Sequence, residues 1–573
     1  MASESRRWWQ DALVYQVYVR SFADADGDGI GDLEGIRSRL GHIASLGVDA
    51  LWLNPCYPSP QRDHGYDVSD YVDIHREYGS LELFDALVAD AATHGIKVLM
   101  DLVPSHCSNE HPWFRAALAA APGSAERARF YFRDGQDDGR APPNNWQAAF
   151  GGSAWTRVDD DPADGQWYLG TFTPHQPDFD HTNADVQQMF VDVFEFWFDR
   201  GVEGFRVDAV APTGKHPDLP DQPPIDGDID ILDITWLNPH TVFRPEGHAV
   251  WRDFRATLAA YEARHPGREL MMVAEAYVVR RPELLRKFTR PDEFHQMFNF
   301  DLMLSPWEPT SIARALHDPL DILADTGVTP AWTLNNHDIQ RIVTRLGRAD
   351  AHLPESWTNN NLVSSGADVD LALGERRARA MAALVFALPG SLYLYQGEEL
   401  ALPEVLDIPD DRRTDPIFAL TAGATTGRDG CRVPLPWTTD PATSYGFSSP
   451  PAGDQAPVDE PWLPQPADWG DRSVAVEERR AGSTLHLYRE LSAARRAHAN
   501  SQPLAARALE LGRDLVAVAR GDLVVVVNAT SAPVDIDLAH PALTDTTVVL
   551  STTEQPTPSG STIAADSTIW FCR

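Results

Sequence analysis

Two rhythms of apolar and polar positions alternate along this 573-residue chain. Short apolar runs recur in the order ALVYQVYV, ALWLNP, IKVLMDLV, VEGFRVDAV, LMMVAEAY, MFNFDLML, AWTLNN and SLYLYQG. Each has the length and the β-branched or aromatic content of a buried strand. Between them apolar residues return at helical spacing, as over 80–94 and 183–200, which open on the helix-capping residues Ser80 and Asn183. Eight strand-like runs separated by helical patterns predict an α/β fold, a closed (β/α)8 barrel whose working face lies at the strand C-termini.

Two stretches break the rhythm. From 105 to 180 the chain is rich in Gly, Pro, Trp and Asp, which predicts a small loop-rich domain inserted after strand 3 and overhanging the barrel mouth. A Pro- and Asp-rich insertion at about 400–473 follows strand 8, too long for a bare loop unless it serves the site. The last barrel helix is expected at 485–500. Beyond it, RDLVAVARGDLVVVVNAT and DTTVVLSTT predict strands. The expected organisation is a barrel over 1–104 and 181–500, an inserted domain over 105–180 and a C-terminal all-β domain over 501–573.

Composition narrows the function. A content of 43% hydrophobic and 23% charged residues is that of a soluble globular protein. A formal net charge of -36 disfavours nucleic acid and anionic membrane surfaces, leaving small neutral molecules as the natural partners. No run reaches the roughly 18 apolar residues of a membrane span and the N-terminal stretch lacks a signal-like apolar core, so a cytoplasmic monomer or homodimer is expected. Cys56, Cys107, Cys431 and Cys572 form no CxxC pair and are expected to be free thiols.

Three acids end strand-like runs: Asp208 in GFRVDAV, Glu275 in VAEAY and Asp338 in NNHD. Burying a carboxylate is costly, so such acids are solvated, paired or held for use. Arg206 and Asp208 leave the same face of a strand, and the guanidinium is expected to lower the Asp208 pKa and keep it ionised as a nucleophile. The apolar approach to Glu275 is expected to raise its pKa, as an acid catalyst requires. His337 stands beside Asp338. His106 follows the third strand in DLVPSHCS, and DHGYD offers Asp63 and Tyr66.

The segment DADGDGIGD has oxygen ligands at alternate positions, Asp24, Asp26 and Asp28. As an EF-hand it fails, because the twelfth position is Gly35. A compact acidic turn remains, in which the Ile30 carbonyl and Asp32 can complete a cation shell.

In this order and spacing, DLVPSHCS, GFRVDAV, VAEAY and NNHD resemble the four signature regions of the α-amylase superfamily of glycoside hydrolases. QPDFD resembles a fifth region of its oligo-1,6-glucosidase and α-glucosidase branch. The resemblance implies a TIM barrel and a retaining, exo-acting α-glucosidase, with Asp208 as nucleophile, Glu275 as acid/base and Asp338 as transition-state stabiliser. It implies glucose binding by Asp63, Tyr66, His106, Arg206 and His337, aromatic walls at Phe150 and Phe172, and pocket closure by Arg432 of RDGCRVP. It implies a structural Ca2+ or Mg2+ in the acidic turn and no organic cofactor. Ala209, directly after the nucleophile, goes in this branch with α-1,4 cleavage of maltose and short malto-oligosaccharides, where Val goes with α-1,6. Transglucosylation is a further expectation. The alternatives are a trehalose synthase, a sucrose-cleaving enzyme, an α-1,6-glucosidase or a non-catalytic binding homologue. Ser105 and Ala274 depart from the Asn and Gly common at those positions.

Overall fold

The computed structural model describes residues 6–158, 165–224, 238–348, 368–424, 426–448, 458–553 and 561–573. Eight parallel strands close into a barrel: β1 (Leu13–Val17), β2 (Ala50–Leu53), β3 (Lys97–Leu102), β4 (Gly204–Val207), β5 (Met271–Ala274), β6 (Gln296–Asn299), β7 (Ala331–Thr333) and β8 (Ser391–Tyr395). Each neighbours the next and β1 pairs with β8. The strands are almost wholly buried, as expected where helices cover the outside and side chains fill the inside.

The helical stretches form where the spacing places them. Leu81–Thr93 is capped by Ser80, whose hydroxyl accepts from the Leu83 N–H, and Ala184–Asp199 by Asn183, which accepts from Asp185 N–H. The eighth helix begins at Thr484 and ends in a π turn over Arg495–Ala499.

After β3 the inserted region forms a three-stranded sheet from Phe132–Asp134, Trp155–Arg157 and Gln166–Leu169, with the last strand in the middle. It has its own small core around Trp146, Trp155 and Leu169. A second excursion, absent from the sequence reading, runs from Ala209 to the helix Pro245–Arg264. It meets the inserted sheet where Asn144 Nδ2 and Trp146 Nε1 donate to the Leu219 and Pro220 carbonyls. Lys215 on this excursion is buried against Asp178 of QPDFD at 2.8 Å.

Among its described residues the stretch after β8 forms short turns and the helix Pro416–Leu420, which lie against the barrel mouth. The C-terminal domain is a five-stranded antiparallel sheet whose central hairpin, Leu515–Arg520 and Leu523–Asn528, turns at Gly521. It docks on the helix Leu371–Ala387, with Trp570 Nε1 and the Thr568 hydroxyl donating to the Ala383 and Ala380 carbonyls. All four cysteines are buried free thiols. Among the described residues no helix is long and apolar enough to cross a membrane.

Candidate active site at the barrel mouth

The strand register itself builds the floor of the site. Asp101 on β3 is the direct neighbour of Arg206 on β4, and their side chains pair at 2.7 Å. Asp208 lies one residue past β4, where Arg206 reaches it at 2.6 Å through the same Nη1. The chain then turns: Ala209 has φ 45°, a left-handed conformation that larger or branched residues resist. This turn aims the Ala209 N–H at Glu275 Oε2, 2.9 Å away, while the Val210 N–H donates to the Glu275 carbonyl. Arg206 Nη2 stands 3.6 Å from that same Glu275 oxygen.

Beneath these acids runs a hydrogen-bonded chain with one direction. The Gln16 amide nitrogen can only donate, so His337 Nδ1 accepts from it at 2.9 Å. His337 Nε2 then carries the proton and donates to the Tyr66 hydroxyl at 2.7 Å, and Tyr66 donates to Asp101 at 3.0 Å. The Tyr66 and His337 rings stack with an interplanar angle of 2°. Burial keeps His337 well below the usual imidazole range, which agrees with a neutral ring.

Asp338 is treated differently from its two partners. One of its oxygens takes both Arg428 Nη1 and Arg432 Nη2 at 3.0 Å, and His337 Nε2 is 3.3 Å from the other. Although burial opposes it, the His337, Arg428 and Arg432 groups hold this carboxyl well below the ordinary range, so it stays ionised. Asp208 departs from expectation. Burial pushes it up to about 7, outweighing Arg206, with the Glu275 and Asp338 charges adding to the rise. Burial also raises Glu275, again against Arg206. Burial thus favours the protonated form of each acid, and the two titrate as a coupled pair. The asymmetry of Arg206, bonded to Asp208 and more distant from Glu275, directs the last proton of the pair to Glu275.

A cavity of about 360 Å³ opens above them. Asp63, Tyr66, His106, Phe150, Phe172 and Ala209 line it together with the three acids. His106 is fixed by the Ser105 hydroxyl at 2.8 Å, so the Ser that departs from the family pattern has a local task. Arg206, His337 and Arg432 lie beneath the lining and act through the groups they hold. Arg432 was expected to close the pocket; instead it is 1% exposed, packed under Asp338, with Nε donating to the His337 carbonyl. The lining arginine is Arg428, which the sequence reading missed. It binds Asp63 at 2.8 Å, Asp338 at 3.0 Å and Asp415 at 2.7 Å, and its guanidinium lies 5.5 Å from the centre of the Phe150 ring. Gln176, also missed, donates to Asp63 at 3.1 Å. RDGCR contains both arginines, and only the 3-10 turn Asp429–Cys431 decides which one faces the cavity.

Away from the mouth, the carboxylates of Asp24, Asp26 and Asp28 converge, with oxygens within 4.8 Å of one another. Burial is the main force raising Asp24, and it carries Asp28 up to about 6. Asp32 is outside this cluster: it caps the helix Leu33–Ser38, accepting from the Gly35 and Ala25 N–H groups.

The alpha amylase catalytic-domain family model matches residues 16–502. A probable alpha-glucosidase of Rhizobium meliloti is 36% identical over 508 residues, 86% of this chain and 83% of its own length. Maltase 1 of Drosophila virilis is 32% identical over 556 residues, 93% of this chain and 80% of its own. The crystal structure of the alpha-glucosyl transfer enzyme XgtA superposes with a TM-score of 0.82 at 30% identity, covering 99% of this chain and 100% of that one.

Proposed function

Since the chain belongs to the alpha-amylase family of glycoside hydrolases, we propose that it is a retaining, exo-acting α-glucosidase releasing terminal glucose from maltose and short malto-oligosaccharides. Asp208 attacks the anomeric carbon while Glu275 gives its proton to the departing glycosidic oxygen, forming a glucosyl ester on Asp208. Glu275, now ionised, takes a proton from water, which attacks the same carbon and restores Asp208. Asp338, kept ionised by Arg428 and Arg432, offers negative charge to the positive anomeric centre.

The observation that carries this reading is the placement of Arg206, 2.6 Å from Asp208 and 3.6 Å from Glu275. It favours one ionised and one protonated acid, the pair that a retaining glycosidase needs. Exo action is supported by the Asp63–Arg428 pair, joined at 2.8 Å in the cavity lining. Ala209 supports the α-1,4 linkage, because its small side chain lines the cavity directly after the nucleophile and shapes the leaving-group side. An alcohol can replace water at the second step, giving transglucosylation.

The donor set of Asp24, Asp26 and Asp28 suits a structural Ca2+ or Mg2+, whose charge would relieve the mutual repulsion of these carboxylates. Chelation is expected to lower the melting temperature, with no change in the anomer released. The function is tested by incubating the enzyme with maltose, isomaltose, sucrose and trehalose and following products and anomeric configuration. Release of α-glucose with kcat/KM higher for maltose than for isomaltose is expected; release of β-glucose, or faster isomaltose cleavage, refutes the reading.

A further inference from the structure

Asp338 is placed by two separate pieces of chain. The loop after β7 carries the carboxylate, and the turn around Asp429–Cys431 carries Arg428 and Arg432, which hold it. The charge Asp338 can set against a positive anomeric centre depends on how these two pieces stand relative to each other.

The loop is closed on itself. Asn335 accepts from the Ile342 N–H at 2.6 Å and donates to Glu398 at 2.7 Å, so the segment holding His337 and Asp338 begins and ends at one side chain. Its end is fixed again from outside, where the Arg341 N–H donates to Glu404 Oε2 at 2.9 Å. Glu404 is buried in the segment after β8, and its own N–H donates to the Thr344 hydroxyl at 2.9 Å.

The other carboxyl oxygen of Glu404 faces the arginine turn. It lies against Gly430, where a side-chain carbon would collide with Glu404 Oε1 and with the Val405 carbonyl. The Val405 N–H donates to the Gly430 carbonyl at 3.2 Å and completes this contact. Arg341 closes the same junction from the loop side, with Nη1 and Nη2 donating to the Gln396 and Cys431 carbonyls at 2.9 Å. An apolar side chain of similar size would fill the space of Glu404 but leave the Arg341 N–H without its acceptor, freeing the loop to shift.

We propose that Glu404 is a positioning residue: it sets the distance between the loop carrying Asp338 and the turn carrying Arg428 and Arg432, and so the negative charge presented to the anomeric centre. The proposal rests on Asp338 acting as the transition-state stabiliser. Glu404 itself does not line the cavity.

Two variants of similar shape separate the acceptor from the packing. Glu404→Gln keeps an oxygen for the Arg341 N–H, and Glu404→Met removes it. In Glu404→Met, kcat for maltose should fall about tenfold and the Ki of 1-deoxynojirimycin, a glucose-shaped cation when protonated, should rise about tenfold, while the Ki of neutral glucose changes less than about twofold. Glu404→Gln should keep all three within about threefold of the parent. A lower melting temperature with an unchanged ratio of the two Ki values overturns the proposal, as does a Glu404→Gln variant as impaired as Glu404→Met. If Glu404→Met does not fold, Gly430→Ala presses the turn away from an intact Glu404 and is expected to change the same ratio about tenfold; an unchanged ratio there overturns the proposal equally. Asp338→Asn is assayed beside them. Full kcat in Asp338→Asn refutes the stabiliser role and the proposal with it, whereas a large loss there with none in Glu404→Met refutes the proposal alone.

Discussion

The two ends of the barrel each bury a cluster of arginines and acids, with opposite consequences. At the mouth one guanidinium, Arg206, serves three carboxylates, Asp101, Asp208 and Glu275, so negative charge is in excess and faces a cavity. At the base one carboxylate, Asp11, serves three guanidiniums: Arg6 and Arg520 at 2.7 Å and Arg495 at 3.5 Å. The surplus donors there end on main-chain carbonyls: Arg495 on those of Phe386, Leu388 and Gly390, Arg520 on Leu388 and Pro503. The base therefore staples the entry to β1, the start of β8 and the C-terminal sheet, and it holds no acid in reserve. The same pairing chemistry stabilises where surplus donors end on main-chain carbonyls and reacts where acceptors are left over.

Several substitutions press on that contrast. Asp208→Asn should lower kcat/KM for maltose on the order of 10⁴-fold or more while the protein stays folded; near-full activity would move the nucleophile elsewhere. Asp11→Ala should do the reverse, costing about 3–5 kcal/mol of stability by stranding buried guanidiniums. It would be read as a lower urea midpoint with kcat/KM of the folded enzyme preserved. Asp415→Asn should fall between the two. Asp415 takes the Arg428 backbone N–H at 2.6 Å and its Nε at 2.7 Å, so it positions the arginine without touching substrate. Its loss is expected to lower kcat/KM about 10–100-fold, mainly through KM, with Asp415→Glu recovering part of the loss.

The smallest effect is a dependence on pH. Burial raises both Asp208 and Glu275 above the ordinary carboxylate range, so the pair holds its protons to higher pH in the folded chain than in the unfolded one. Folding therefore favours the protonated pair, and stability present at acid pH is lost as the pH rises through the raised range of the pair. Asp208→Asn escapes that loss, so its advantage in stability over the parent should grow by roughly 1 kcal/mol or more from pH 5 to pH 8. The kcat/KM profile of the parent should decline on the alkaline side as the acid pair gives up its last proton. A flat profile through neutrality would show that the two acids do not share it.

The sequence carried much of this arrangement. The carboxylates stand out because apolar strands run straight into them, and the capped helices at Leu81–Thr93 and Ala184–Asp199 follow from spacing and a single Ser or Asn. What it hid depends on the third dimension. Arg428 and Arg432 are four residues apart in one motif, and a short turn assigns one to the cavity and the other to the floor. The excursion beyond Ala209 has no clear periodicity, and it takes its place through long-range contacts such as residues 219–222 with Asn144, Asn145 and Trp146 and Lys215 with Asp178. The raised Asp208 pKa is a balance between burial and one guanidinium, and motif spacing gives no weight to either. In the acidic turn, alternate spacing does group Asp24, Asp26 and Asp28, whereas Asp32 is claimed by a helix that starts there.

The directed chain from Gln16 through His337 and Tyr66 to Asp101 has a consequence in time. Its members come from β1, from beyond β7, from beyond β2 and from β3, and Gln16 and His337 are 321 residues apart. No fragment of the barrel can assemble it, and the ring is complete only when the first and last thirds of the strands have met. Contacts so distant along the chain form late in folding. Recovery of glucosidase activity during refolding should therefore lag the return of helical signal and report the moment of barrel closure.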